Sequence, residues 1–209
     1  MTQTKIGVGM ISATSIGDAK VLQGDGSWVT PSAGALTFIN TSDISAAATY
    51  DFTAVDASSY DNYVIHTMNL TPATDDVGFE LLTSSNGGSS YDTGASDYSW
   101  MTQASGVSDD GADDSIMLNG TTAASTYRLA SAAGEDGGSF VIYIAAPHLA
   151  KKTLIHWNGA IINSDGLANR AINGSAGRMS SADVDAFRLK FTSGNIESGT
   201  VTVYGLANA

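Results

Sequence analysis

The chain has 209 residues, of which 43% are hydrophobic and 14% charged, and its 21 acidic and 9 basic residues give a formal net charge of −12. Binding to nucleic acid needs clustered cations, yet no Lys or Arg occurs between Lys20 and Arg128, where 14 Asp and Glu residues do. This charge excludes a nucleic-acid partner and disfavours an anionic membrane surface, and the absence of cysteine excludes thiol catalysis, Cys-ligated zinc and disulfides.

The composition predicts an all-β protein. Charged residues fall well below the roughly 25% that is usual in soluble domains, and glycine, at 23 residues, takes up part of the difference. Glycine, Ser, Asn and Asp supply the backbone conformations and local hydrogen bonds of tight turns between short strands. One large domain with an arm fits the length, and a domain of about 170 residues buries enough surface to fold without a metal or disulfide.

Residues 1–33 differ from the rest because short apolar patches alternate with glycines, and none is long enough to pair stably alone. We expect this segment to be an arm that anchors the domain to a partner, with a hinge at residues 32–35. The alternative is an arm that wraps over the domain's own sheet. The apolar residues expected at the attachment surface are Ile6, Ile11, Leu22 and Trp28.

The first residues also lack the apolar core of about 7–15 residues that a signal peptide requires. No apolar span of about 18 residues, long enough for a membrane helix, occurs in the sequence. We therefore expect the protein to be made and assembled in a cytoplasm.

Alternating apolar and polar residues begin at Leu36 and recur between turn signals to the end of the chain. Together with the absence of any helical apolar period, they predict a two-sheet β-sandwich of jelly-roll type over residues 34–209. The predicted strands lie near residues 35–41, 47–53, 60–70, 77–84, 96–102, 126–130, 139–146, 152–163, 183–192 and 199–206.

Two parts of this pattern are the most specific. The strand at 139–146 is the most apolar, so we expect it at the centre of a sheet. The strands at 183–192 and 199–206 are separated by a Gly-containing turn and are predicted to form a closing hairpin. In that hairpin Phe187 shares one face with its neighbours two residues away, and Val201 shares a face with Val203.

An acidic loop is the strongest candidate for a metal site. Four carboxylates within six residues could converge on Ca²⁺, a hard ion that takes about six to eight oxygen ligands. The spacing does not match an EF-hand, and a solvated acidic loop is the alternative interpretation. The four residues are Asp109, Asp110, Asp113 and Asp114; no other cofactor is expected.

Catalytic signatures are weak. His66, His148 and His156 lie far apart in sequence, and two of them fall within predicted strands, where a hydrogen-bonded structural imidazole is the common role. The segment at 173–177 only approximates a nucleophile elbow. Asp residues are so frequent that a pair of carboxylates carries little information about glycoside hydrolysis. We therefore expect no enzyme activity.

Aromatic residues near a Gly/Ser/Asp-rich loop are the second candidate site. An aromatic face beside amides and carboxylates could stack on a sugar ring and hydrogen-bond its hydroxyl groups, which would give a glycan contact. Packing within a strand is the alternative. The residues are Tyr91, Tyr98 and Trp100.

Several segments resemble a known family. Residues 186–206 resemble the closing strands of jelly-roll proteins from tailed-bacteriophage virions, and residues 50–53 and 60–83 resemble the front half of the same group. Residues 18–28 are similar to the attachment segments of phage tail-fibre and head-fibre proteins.

The resemblance implies a structural fibre, spike or decoration-type appendage of a virion. It implies attachment to other virion proteins through the arm, a homo-oligomer with a trimer favoured, and contact of the displayed domain with a host polysaccharide. The alternative function is a stand-alone carbohydrate-binding module or lectin.

Overall fold

The computed structural model describes residues 21–22, 28–29, 36–107, 113–120, 122–129, 137–162 and 169–207. The chain divides into two compact units, Met1–Gly34 and Ala35–Ala209. In the first unit, β1 (Val21–Leu22) pairs antiparallel with β2 (Trp28–Val29).

The second unit contains twelve described strands and no described helix. The strands are β3 (Thr37–Ala47), β4 (Tyr50–Phe52), β5 (Tyr60–Pro72), β6 (Val77–Ser84), β7 (Tyr98–Val107), β8 (Asp113–Gly120), β9 (Ala124–Leu129), β10 (Gly138–Ala145), β11 (Leu154–Ile162), β12 (Asn169–Arg178), β13 (Ala186–Phe191) and β14 (Ile196–Ala207).

Eight of these strands are paired in a nested order. The first of them pairs with the last, β3 with β14, and the pairs β4–β13, β5–β10 and β6–β9 follow inward, all antiparallel. One long antiparallel ribbon therefore wraps around itself, and its successive pairs fall alternately in two sheets. The resulting orders, β3-β14-β5-β10 and β4-β13-β6-β9, are those of a double Greek key, which confirms the predicted jelly-roll sandwich.

Two insertions enlarge one of the sheets. The β7–β8 pair lies between β6 and β9 in the chain, and the β11–β12 pair lies between β10 and β13. Both pairs join the sheet beyond β10, which becomes β3-β14-β5-β10-β11-β12-β7-β8, while the other sheet keeps four strands. The insertions therefore create a face about twice as wide as that of the smaller sheet.

The core lies between the two sheets and is rich in aromatic residues. Phe79 of β6 stacks on Phe140 of β10 with ring centroids 5.2 Å apart, and Phe52 of β4 stacks on Phe187 of β13 at 4.9 Å. All four rings are at most 4% exposed. Burying each such ring contributes about 1.5–3 kcal/mol. The Phe79–Phe140 stack joins the two sheets, whereas the Phe52–Phe187 stack joins neighbouring strands within the four-stranded sheet.

Glycines are required beneath several of the core aromatics. Phe140 lies opposite Gly159, Trp157 opposite Gly174 and Trp100 opposite Gly120 in neighbouring strands. A Cβ atom on Gly174 would lie 2.3 Å from the ring of Trp157. Each aromatic ring thus covers the backbone of the next strand, an arrangement that also pins the register of the pairing.

The last two strands differ from the prediction in their pairing. They do not form a hairpin: β13 pairs with β4 and β6, while β14 pairs with β3 and β5 in the other sheet. The turn between them, with Gly194 at a φ of 73°, crosses between the sheets. The faces grouped by the alternation, that of Phe187 and that of Val201 and Val203, point towards the core: Phe187 is 1% exposed, and Val201 and Val203 are fully buried.

Two strands of the second unit were missed by the sequence prediction, as was the short β1–β2 pair of the first unit. Strand β8 begins at Asp113, so Asp113 and Asp114 of the predicted acidic loop lie in a strand. Strand β12 was missed because its inward positions include two arginines, a glycine and an alanine, and only Ile172 is strongly apolar. The predicted central strand lies where expected, as β10 is flanked by β5 and β11. Within the described residues, no helix is long and apolar enough to cross a membrane.

Candidate functional site

The face of the eight-stranded sheet that points away from the core carries aligned rows of side chains. Directly opposed residues on neighbouring strands form each row, at a spacing of about 4.8 Å per strand. One row crosses seven strands and is largely aromatic or apolar. In order from β3 to β7 it contains Phe38, Tyr204, Val64, Tyr143, His156, Ser175 and Met101.

Within this row the rings hold one another in place. Tyr143 and His156 stack face to face with centroids 4.5 Å apart and an interplanar angle of 5°. Phe38 and Tyr204 meet edge to face at 6.1 Å. Because its other face is held by Tyr143, the imidazole of His156 presents a fixed face towards β12.

Strand β12 forms the floor of a groove in this face. Its outward residues Ser175 and Gly177 are small, whereas β11 presents Leu154 and His156 on one side and β7 presents Met101 on the other. The difference in side-chain size leaves an open groove of about 600 Å³. Its apolar walls are accessible, since Leu154 is 63% and Met101 45% exposed.

The groove combines its apolar walls with a few polar groups. Its described lining residues include no carboxylate, Lys or Arg, although the chain carries a net charge of −12. Hydroxyl groups come from Ser99 and Ser175. One rung further along the same strands lie the exposed amides of Gln103, Asn158 and Asn173, which are opposite one another. The arrangement is suited to binding through hydrogen bonds and apolar contact rather than to acid–base catalysis.

A buried ion pair lies behind the end of this floor. Arg178, the last residue of β12, is 1% exposed, and its Nε donates to Asp92 Oδ2 at 2.7 Å while Nη1 donates to the carbonyl of Ala182 at 2.5 Å. Asp92 Oδ2 also accepts from the Thr83 hydroxyl at 2.7 Å. This network ties the end of β12 to β6 and to the loop that follows β6.

Of the predicted glycan-contact residues, Tyr98 is placed wrongly for that role. It is 1% exposed, and its hydroxyl accepts from the Thr83 N–H at 2.7 Å and donates to the Thr83 hydroxyl at 2.8 Å. Burial raises the pKa of Tyr98 to about 12. The alternation of its strand turns this ring towards the core, where it extends the Arg178 network.

The other two aromatics have different surroundings. The ring of Tyr91 is covered by the guanidinium of Arg188, 4.0 Å from the ring centroid. Trp100 is half-buried and lies over Gly120, with its ring packed against the core. The three residues therefore do not share an open face, and a glycan contact through Tyr91 and Trp100 stays a prediction.

The predicted calcium loop falls mostly outside the described residues, which omit Asp109 and Asp110. Asp113 and Asp114 pair through their backbones with Val107 and Gly106. Among the described residues there is no group of three or more His, Asp or Glu side chains that could hold a metal ion. The calcium prediction is therefore untested.

Two of the three histidines, His66 and His156, are separated by a strand of the sheet. His66 and His156 lie on β5 and β11, on either side of β10, opposite Val141 and Tyr143 respectively. His148 Nε2 lies 3.7 Å from Asp61 Oδ1. The segment at 173–177, similar to a nucleophile elbow, is part of β12 and makes no strand-to-helix turn.

The arm residues are only partly described. Ile6 and Ile11 lie outside the described residues, and Leu22 and Trp28 are opposite each other in the β1–β2 pair. Their role in attachment stays a prediction.

Sequence reasoning missed the groove, although one signal for it was present. The alternation of residues 154–158 places Leu154, His156 and Asn158 on the face opposite the core. The sequence therefore indicated polar and aromatic residues on an outward face. The floor of the groove was not predicted, because strand β12 was not recognised. No protein-family model, curated protein sequence or solved structure matches the chain.

Proposed function

We propose that the protein is a structural appendage of a virion, of the fibre, spike or decoration type. Residues 1–33 attach it to other virion proteins, and residues 34–209 form a displayed sandwich. The protein is located in the virion after assembly in the host cytoplasm, and it acts as a homo-oligomer.

One observation carries this proposal: the sandwich closes without the N-terminal unit. Its first strand, β3, pairs with its last, β14, and both sheets are built from strands between Thr37 and Ala207. The described strands of the first unit, β1 and β2, pair with each other. The described strands of this unit complete neither sheet, which favours a role for the unit in binding a partner. The resemblance of residues 18–28 to phage attachment segments supports a virion as that partner.

Deletion of residues 2–32 tests the proposal. We expect the truncated protein to remain folded, with an unchanged far-UV spectrum and cooperative thermal unfolding, but to be missing from purified particles. The full-length Ser175→Trp variant, altered on the outer face of the eight-stranded sheet and not in residues 2–32, should be incorporated normally and serves as the control. An unfolded truncation product would place the arm in the core and contradict the proposal, as would normal incorporation of the truncated protein.

The open groove favours a second candidate, a stand-alone carbohydrate-binding module or lectin. That function uses the outer sheet face but assigns no role to residues 1–33. Neighbouring genes separate the two candidates: portal, capsid and tail genes support the virion protein, and a glycoside hydrolase gene supports the module.

A further inference from the structure

The groove along β12 has the width of one extended polymer chain. Its walls stand on β11 and β7, which flank β12 on either side, so their backbones are separated by about 10 Å. Its volume of about 600 Å³ falls in the range of ligand sites in proteins, and the floor residues Ser175 and Gly177 leave the space between the walls open.

The backbone of the floor is not available to a ligand. The N–H and C=O groups of β12 are used in continuous antiparallel ladders with β11 and β7, from Arg170 to Gly177. An extended peptide therefore cannot add to the sheet here, because strand addition requires a free edge. Recognition in the groove must come from side chains.

Those side chains match a ligand that combines apolar ring faces with hydroxyl groups. Met101, Leu154 and the fixed imidazole face of His156 offer apolar and aromatic contact. The hydroxyls of Ser99 and Ser175 both donate and accept hydrogen bonds. A sugar ring has both properties, since its axial C–H groups stack on rings and its hydroxyls pair with side-chain hydroxyls and amides.

The charge of the groove determines which saccharides it is suited to bind. The described lining has no Lys or Arg to pair with a carboxylate, phosphate or sulfate group, and the net charge of −12 repels anions at longer range. It also has no carboxylate to pair with a cation. The groove therefore complements an uncharged ligand.

We propose that the groove along β12 binds an uncharged oligosaccharide, with Met101, His156 and Leu154 contacting sugar rings and Ser175 supporting the chain from below. The inference rests on the proposed function in that a displayed domain needs a surface ligand. Of the residues predicted for glycan contact, Trp100 belongs to the lining of this groove and Tyr91 does not. Rigid strands and the Tyr143 stack hold the His156 ring in place before binding, which limits the entropy lost on association.

The test uses the full-length chain with ¹³C-labelled methionine methyl groups. The probes are the neutral hexasaccharides cellohexaose, maltohexaose, mannohexaose and chitohexaose, with oligogalacturonate as the anionic comparison. Each is titrated to about 10 mM so that a Kd as weak as about 1 mM is detected. At least one neutral probe should shift the Met101 resonance. Met68, which is 60% exposed on β5 of the same sheet, should not shift.

Two tryptophan substitutions locate the binding. Ser175→Trp fills the floor and should weaken binding about tenfold or more. Ala171→Trp places the same ring on the same face of β12, four residues away and outside the groove, and should bind as the unaltered chain does. Thermal unfolding of both variants verifies that they are folded.

Equal weakening by both variants, a shift of Met68 without Met101, preference for oligogalacturonate, or no binding by any neutral probe would each overturn the inference. These outcomes are independent of particle incorporation. A protein that enters particles and binds no neutral saccharide overturns this inference alone, and one that binds saccharide but does not enter particles overturns the virion proposal alone.

Discussion

Arg178 and Arg188 each form an ion pair with an aspartate, and the two pairs differ in burial. Arg188 binds Asp51 through two hydrogen bonds of 2.6 Å, but both side chains are about one-third exposed. Its hydrogen bonds lower the pKa of Asp51. Arg178 is almost fully buried, and its guanidinium satisfies both a carboxylate and a carbonyl. If Asp51 is lost, water can solvate the exposed guanidinium of Arg188. If Asp92 is lost, water reaches the buried guanidinium of Arg178 less easily.

We predict that Arg178→Met lowers the free energy of unfolding by about 3 kcal/mol, because it leaves Asp92 partly buried without its cation. Arg188→Met is the matched control and should cost less than about 1 kcal/mol, as exposed pairs do. Urea unfolding of both variants measures the difference. A cost for Arg178→Met no larger than that for Arg188→Met would show that the buried network contributes no more than a surface pair.

At the scale of the element, strand β12 has two faces with different requirements. Gly174 points towards the core beneath Trp157, whereas Gly177 faces outward in the groove, where an added Cβ would meet the flexible end of Met179 at 3.2 Å. The first position has no room for a side chain. The second has room if the methionine moves slightly.

We predict that Gly174→Ala destabilises the protein by about 2 kcal/mol, the usual cost of overpacking a core, and changes Trp fluorescence. Gly177→Ala, in the same strand and with the same added atom, should stay within about 0.5 kcal/mol of the unaltered chain. Denaturant unfolding followed by fluorescence compares them. If Gly174→Ala proved as stable as Gly177→Ala, Trp157 would not lie against the β12 backbone as described.

The whole molecule is organised by pairings between distant parts of the chain. In the nested order from β3–β14 to β6–β9, every pair joins strands that are distant in the sequence, and such topologies fold slowly. The acidic chain also repels its own copies in dilute solution. Assembly therefore requires an apolar contact strong enough to outweigh this repulsion.

We predict that the full-length protein forms a homo-oligomer, a trimer by resemblance, through residues 1–33. Light scattering at moderate salt, where charge repulsion is screened, should give three times the monomer mass. The chain lacking residues 2–32 is the control and should be monomeric. A full-length monomer at high concentration would contradict the prediction.

The sequence alone determined the all-β class and which residues share a face in the strongest strands, and its many short strands favoured a jelly-roll sandwich. These properties are local, because the alternation of apolar and polar residues shows which side of a strand is apolar. Phe187 and Val201 were placed correctly for this reason. Tyr98 was misplaced because neighbouring Gly, Ser and Asp residues suggested a loop, whereas its strand turns it inward.

Only the tertiary structure decided which strands are neighbours. The alternation of apolar and polar residues does not show which strands pair. The last two strands were therefore predicted to form a hairpin, although they belong to different sheets. The groove depends on the same information: its walls and floor come from residues 99–101, 154–156 and 175–177, which are brought together by the insertion of β7 and of β11–β12 into one sheet. A site made of distant segments has no local pattern, because its shape arises from the differing side-chain sizes of strands that become adjacent on folding.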